Sequence, residues 1–363
     1  LNFYERRIRR IIPALLAVIL FTIPFALLYL LPLELVEYSK SVLYSLGFSS
    51  NYFFYLSDVE YNAQNSLLKP LLHTWSLSVE EQYYIIFPIF LIVLFKFLKK
   101  YLLIFLSLIL ISSLTLASIT AAENFSLNFY SIQTRIWQLM FGSILAYLEI
   151  SGNARCKNNS LNQFFPLLGL LLIFYSFLFY NDKMLHPSLF TSTPIIGVCL
   201  IIWFADKKGV VTKILSSKNL VSTGLISYSL YLWHFPIFSF AEIIEFTEGD
   251  LLKKTFLIII TIIISKVSYL TIEKKFRNKK IISTKILIYS ITSTLAFITM
   301  LNFLILQNTG FKNRLPKILQ KDSGVEFVWK NLKNKKGEIC WKKIEDHCVY
   351  NPSGEKKVII IGD

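Results

Sequence analysis

Long apolar runs separated by short polar and basic segments dominate this chain. Runs at about 11–31, 79–98, 101–121, 131–150, 164–180, 190–206, 221–246, 252–271 and 283–305 each approach the roughly 17–25 residues an α-helix needs to cross a bilayer. A further run, 41–57, is aromatic but short, and Gly47 with Ser49-Ser50-Asn51 interrupts it. The pattern predicts an all-α polytopic membrane bundle of about nine spans, with 41–57 re-entrant or protein-covered toward the outer face. Beyond residue 306 the character changes. A Lys-rich stretch from Lys330 to Lys343 leads to Val358-Ile359-Ile360-Ile361-Gly362-Asp363, a short β-branched run before a turn, as in the first strand of an α/β domain. A chain that starts at Leu1 and stops inside such a turn reads as a segment cut at both ends.

Charge sets the expected orientation. Arg6, Arg7, Arg9 and Arg10 place the amino-terminal end in the cytoplasm. With 41–57 not crossing, Lys96/Lys99/Lys100, Arg155/Lys157, Lys207/Lys208/Lys213/Lys218 and Lys274–Lys280 all fall inside. Glu123, the 181–187 loop and the acidic stretch from Glu242 to Asp250 fall outside, as does the tail. Composition agrees: 54% of residues are hydrophobic, 17% are charged and there are 31 Phe, which excludes a soluble or disordered chain. The net charge of +15 therefore serves orientation and lipid headgroups, and no nucleic-acid partner is expected. Cys340 and Cys348 share the outward tail, where a disulfide is the first reading. Their spacing lacks the ligand pairs of a zinc site, so no metal is expected.

Three patches carry candidate chemistry. The first is Leu72-His73-Thr74-Trp75-Ser76-Leu77-Ser78-Val79-Glu80-Glu81-Gln82. Ser78 and Glu81 have capping-box spacing, which gives Glu81 a structural reading beside a functional one. Glu80 and His73 have no such excuse, and ionisable residues at this depth default to function. The second is Ser227-Tyr228-Ser229-Leu230-Tyr231-Leu232-Trp233-His234-Phe235-Pro236. An intramembrane His among hydroxyls suits proton transfer or acyl carriage, although a packed, hydrogen-bonded His reads equally well. The third is the Arg6–Arg10 cluster. Anchoring explains it, but four Arg and no Lys also fits bidentate phosphate recognition. Arg135, beside Trp137 and Gln138, is placed to pair with Glu80 or Glu81, structurally or toward a substrate.

In order along the chain, Phe3-Tyr4-x-Arg-Arg-x-x-Arg-Ile-x-Pro13, the His73–Gln82 string, Thr134-Arg-Ile-Trp137, Ser227–Pro236 and Ile272-Glu-Lys-Lys-Phe-Arg277 closely resemble the acyltransferase-3 family of integral-membrane O-acyltransferases. The similarity covers about 1–277. The resemblance implies a membrane acyltransferase domain at 1–277, an extra transmembrane helix and linker at 278–310, and at 311–363 the start of a periplasmic SGNH-hydrolase-like domain. It implies acetyl-CoA as donor at the cytoplasmic face of a bacterial inner membrane. The acceptor would be a sugar hydroxyl of a polysaccharide or lipid-linked glycan outside, with lipopolysaccharide O-antigen expected first and peptidoglycan as the alternative. A carrier exporting an acylated molecule without catalysis is the reading from a different class. His73, Glu80 and His234 are the expected catalytic residues. Trp75, Glu81, Arg135, Trp233 and Tyr231 are expected at the substrate, and Arg6, Arg7, Arg9 and Arg10 at the CoA phosphates. Two departures stand out. Residues 1–363 hold neither the family's first two spans, with an Arg and a His implicated in acyl transfer, nor the SGNH nucleophile, which the resemblance would put directly after Gly362-Asp363. Position 138, often acidic in the family, is Gln.

Overall fold

The computed structural model describes residues 2–59, 66–152, 158–181, 184–247 and 250–314. Among them every regular element is helical. Helices α1 (Asn2–Tyr29), α2 (Pro32–Leu46), α3 (Ser50–Val59), α4 (Thr74–Phe97), α5 (Leu102–Glu123), α6 (Phe125–Tyr130) and α7 (Ile136–Ile150) form the first half. The second half runs α8 (Asn159–Phe179), α9 (Thr193–Phe204), α10 (Val210–Leu215), α11 (Lys218–Ile243), α12 (Leu251–Ser268), α13 (Lys274–Arg277) and α14 (Thr284–Gln307), with a π-helical turn, Tyr269–Glu273, joining α12 to α13.

Among the described residues, six helical stretches are long and apolar enough to cross a membrane: α1, α4, Lys99–Glu123, α8, Leu251–Arg277 and α14. Each of the nine expected spans coincides with a helix, but three fall short of that standard. The run at 131–150 yields only the 15 residues of α7, because Ser131–Arg135 form a turn in which the Thr134 hydroxyl donates to the Asn128 and Ser131 carbonyls. The 190–206 run gives a short apolar helix, Leu189–Phe204, and α11 breaks its apolar sequence with hydroxyls and His234. The 41–57 run is interrupted at Gly47, as its sequence suggests. At about 1.5 Å per residue α2 reaches roughly 22 Å, short of a hydrocarbon core of about 30 Å.

Helix α1 lies at the centre. Ala14, Leu15, Val18, Ile19, Ile23 and Ala26 are buried at helical spacing and pack with residues of α2, α11 and α14. The Tyr4 hydroxyl donates to the Ile85 carbonyl at 3.1 Å, and Arg7 meets Glu81, so α1 and α4 run antiparallel. Lys279 reaches Glu5 at 2.6 Å, bringing the basic segment after α13 to the amino-terminal end of α1. At its other end the Arg314 guanidinium donates to the Leu27 and Leu30 carbonyls. These contacts put two of the expected inner segments at one end of α1 and the start of the tail at the other. Outward faces are apolar too: Ile85, Ile86, Ile89, Ile92 and Val93 of α4 are exposed, a surface suited to lipid rather than water.

Helices α8 and α9 pack through glycines. A Cβ at Gly169 would stand 2.4 Å from the Gly197 carbonyl oxygen, and one at Gly197 2.6 Å from that of Gly169. Backbone cannot yield as a side chain does, which is the small-residue logic of membrane helix contacts. Gly197→Ala should therefore destabilise the bundle by about 1–3 kcal/mol, as overpacking does, while Gly142→Ala, where a Cβ meets nothing within 4 Å, should not. Thermal midpoints of the two variants in detergent test this.

Cys199 is a free thiol. Cys156, the expected Cys340–Cys348 bridge and the expected strand at 358–361 lie outside the described residues.

Candidate active site

Three polar centres emerge from these helices, and they do not follow the sequence patches one for one. The first joins two patches expected on opposite faces. Arg7 donates from Nε to Glu81 Oε1 at 2.8 Å, brings a terminal amino group within 2.6 Å of the same oxygen and 3.6 Å of Glu80, and stacks over Tyr84 with Cζ 3.8 Å from the ring centre. The cause lies in where α4 begins. His73 precedes its first residue, five positions ahead of the expected start at 79, so Ser78 and Glu81 are interior to the helix and form no capping box. The Ser78 hydroxyl instead accepts from the Ser50 amide at 3.2 Å and bonds the Ser50 hydroxyl at 2.8 Å, while Glu81 takes Arg7. Glu80 keeps half its side chain exposed.

The four arginines have separate tasks. Arg9 is 1% exposed and committed to the protein. Its Nε donates to Glu5, one terminal nitrogen to the Phe276 and Ile282 carbonyls, and the other to Thr284. That leaves it no free edge for a ligand, which corrects its expected place at the CoA phosphates. Arg6 and Arg10 are exposed, and neither forms an ion pair within 4 Å among the described residues.

The second centre gathers His73, Tyr231, His234 and Phe235. The His73 ring lies 5.2 Å from Tyr231, 5.8 Å from His234 and 5.5 Å from Phe235, measured between centroids. The Tyr231 hydroxyl donates to the His73 carbonyl and bonds Ser76 at 2.9 Å, tying the start of α4 to α11. The His73 ring is 6% exposed, and neither of its nitrogens has a partner. Burial, helped by the neighbouring imidazole of His234, pushes His73 down to about 3. His73 is a neutral imidazole with an unserved N–H.

His234 is exposed, and its Nδ1 lies 2.7 Å from the Tyr231 carbonyl and 3.2 Å from that of Leu230. A carbonyl only accepts, so Nδ1 carries the proton and the lone pair sits on Nε2. Trp233 turns away from this group, buried edge-on against Phe21 of α1 at 5.0 Å.

The third centre holds Arg135, which pairs with neither Glu80 nor Glu81. Its guanidinium lies over Trp75 and Phe129, with Cζ 4.8 and 4.7 Å from the ring centres. Nε donates to the Phe129 carbonyl at 2.9 Å, and one terminal nitrogen donates to His186 Nε2 at 3.1 Å. Burial and the adjacent guanidinium push His186 down to about 4. His186 is absent from the sequence-derived candidates; its one signal was being among only four His in the chain. Glu273 is likewise missing from them. It is 2% exposed in the π-helical turn and accepts from Ser229 at 3.1 Å and Arg277 at 3.2 Å. Its signal was a lone acid at the head of the basic Ile272-Glu-Lys-Lys-Phe-Arg277 motif.

An acyltransferase family profile matches residues 1–270. The chain belongs to the acyltransferase-3 family. Helix α14 follows the matched segment. Among relatives in this family, the peptidoglycan O-acetyltransferase OatA of Listeria monocytogenes (serovar 1/2a) is 29% identical over 294 residues, 78% of this chain and 47% of that protein. The O-acetyltransferase OatA of Staphylococcus aureus (strain NCTC 8325) is 27% identical over 295 residues, 77% of this chain and 48% of its own length. A Staphylococcus aureus (strain COL) protein named as an O-acetyltransferase by inference is 30% identical over 292 residues, again 77% of this chain and 48% of that protein. The chain thus spans about half the length of the curated relatives it matches. No solved structure matches it.

Proposed function

We propose that this chain is the membrane portion of an O-acetyltransferase that takes an acetyl group from acetyl-CoA at the cytoplasmic face and delivers it to a sugar hydroxyl of a cell-envelope polysaccharide. The observation that carries the reading is the pairing of an exposed His234, lone pair on Nε2, with a buried neutral His73 whose ring nitrogens lack partners. The acceptor hydroxyl attacks the thioester carbonyl, His234 Nε2 takes the hydroxyl proton, and the C–S bond breaks. The proton then passes to the departing thiolate, giving CoA thiol and the O-acetyl ester. His73 N–H stabilises the oxyanion as it forms. Peptidoglycan is the acceptor we favour, because the Listeria relative is a peptidoglycan O-acetyltransferase by name; lipopolysaccharide O-antigen is the alternative that follows from the sequence resemblance. Nine spans, a bacterial inner-membrane location and an outward tail complete the proposal. The test is labelled acetyl-CoA supplied to membranes holding the full-length protein. Ester-linked label in muropeptides supports the proposal, label in lipopolysaccharide shifts the acceptor, and no base-labile label in any glycan overturns it.

On this reading Arg6 and Arg10, exposed at the donor side, hold the CoA phosphates. Replacing both with Lys keeps the charge that orients the protein and loses the planar fork. The expected result is a KM for acetyl-CoA raised about tenfold, a little over 1 kcal/mol, with normal insertion. An unchanged KM would leave these residues as anchors alone.

A further inference from the structure

The motif Ile272-Glu-Lys-Lys-Phe-Arg277 has no part in the chemistry described so far. It spans the end of the π-helical turn and α13, and it is docked against α1, where the Phe276 carbonyl accepts from Arg9. Within it Glu273 is 2% exposed. A buried carboxylate is costly unless donors meet its oxygens, and here they do. Ser229 of α11 donates to Oε2 at 3.1 Å, and Arg277 Nη1 donates to Oε1 at 3.2 Å. Arg10 of α1 stands close enough to attract the same carboxylate. The π turn, Tyr269–Glu273, makes this meeting possible. Such a turn carries an extra residue, and one residue is roughly 100° of helix phase. A straight continuation of α12 would swing Glu273 and Arg277 away from α11 and α1. Turns of this kind recur at functional sites.

Membrane anchoring does not explain the pair. Lys274 and Lys275, beside it, supply positive charge at the same end, exposed and without an acidic partner within 4 Å among the described residues. Arg277 alone in the motif is fixed by a buried acid, although its own side chain is 43% exposed. The manner of holding is informative. Glu273 takes Nη1, and the guanidinium makes no other hydrogen bond or ion pair among the described residues. The Nε–Nη2 edge is therefore left whole, and that edge is a fork of two parallel donors suited to two oxygens of one phosphate. Arg6 and Arg10 are exposed at the same end of α1. We infer that Arg277 is a further ligand for the phosphates of the acyl donor, with Glu273 as the positioning residue that presents its free edge. The inference rests on the acetyl-CoA reading above, so its test measures binding and needs no turnover.

The experiment is calorimetric titration of the full-length protein in detergent micelles with CoA, 3′-dephospho-CoA and pantetheine. The wild-type protein is expected to bind CoA about tenfold or more tightly than pantetheine. Arg277→Lys keeps the charge and loses the fork. It should lower CoA affinity about five- to tenfold and leave pantetheine binding unchanged, which also shows that the variant is folded. A penalty that persists with 3′-dephospho-CoA assigns Arg277 to the diphosphate, and one that vanishes assigns it to the 3′-phosphate. Glu273→Gln keeps an acceptor for Ser229 and should cost CoA affinity about threefold alone, but nothing further in the Arg277→Lys background, because a positioning residue acts only through the fork it holds. An additive penalty would strip Glu273 of that role. Lys274→Gln removes one exposed charge from the same segment and should stay within about twofold of wild type. Unchanged CoA affinity in Arg277→Lys, or an equal loss in Lys274→Gln, overturns the inference and leaves the donor reading standing. A wild-type protein that binds CoA no more tightly than pantetheine overturns both.

Discussion

Replacing His234 with Ala is expected to lower acetyl transfer by about 10²–10⁴-fold, the range general-base groups contribute, at wild-type abundance in the membrane. The ring is exposed and bonds only carbonyls of its own helix, so its removal strands no buried partner and should leave the fold intact. His73 is read beside it with a different substitution. His73→Phe keeps an aromatic ring against Tyr231 and Phe235 and removes only the nitrogens. A role as oxyanion donor predicts a loss of about 10²–10³-fold with an unchanged melting midpoint, whereas a packing role predicts none. Initial rates with labelled acetyl-CoA in proteoliposomes separate these outcomes. A near-normal rate for His234→Ala would remove it from the chemistry.

The helical bundle was legible because apolar runs of span length have few alternatives in a chain this poor in charge. Two helix starts were not. The sequence around Ser78 carries capping-box spacing, yet α4 begins at Thr74, because Ser50 of α3 claims the Ser78 hydroxyl and Arg7 of α1 claims Glu81. Both competing partners are remote in sequence, so no local pattern could announce them. The run at 131–150 shortens to α7 for a similar reason, with Thr134 bonding the end of α6. Among candidate site residues, His73, Tyr231 and His234 were each singled out in separate motifs, but their meeting was not legible, because it depends on α4 and α11 packing side by side. Nor was the division of labour among Arg6, Arg7, Arg9 and Arg10. Four identical side chains within five positions look equivalent in sequence, and only helix phase decides which of them faces the bundle.

The largest structural effect is expected at Arg9. Arg9→Met keeps an unbranched side chain of similar length and removes every donor. It leaves the Phe276 and Ile282 carbonyls and Thr284 without the guanidinium that ties them to α1. Breaking a buried charged contact from one side costs about 3–5 kcal/mol, so the variant should lose much of its thermal stability in detergent. The loss should begin locally. Arg9 bridges α1 to the segment between α13 and α14, whereas α14 itself is held by buried Leu287, Ile298 and Ile305. A cysteine placed at Ser283 should therefore become reactive toward a water-soluble maleimide in Arg9→Met well below the global midpoint. Arg6→Met removes the same charge from the same end of α1, at an exposed site without an ion pair, and should stay within about 0.5 kcal/mol of the parent. Because the two variants cost orientation equally, any difference between them belongs to the buried contacts. Equal midpoints and equal labelling would show that Arg9 is no clamp and would return it to the set of candidate phosphate ligands.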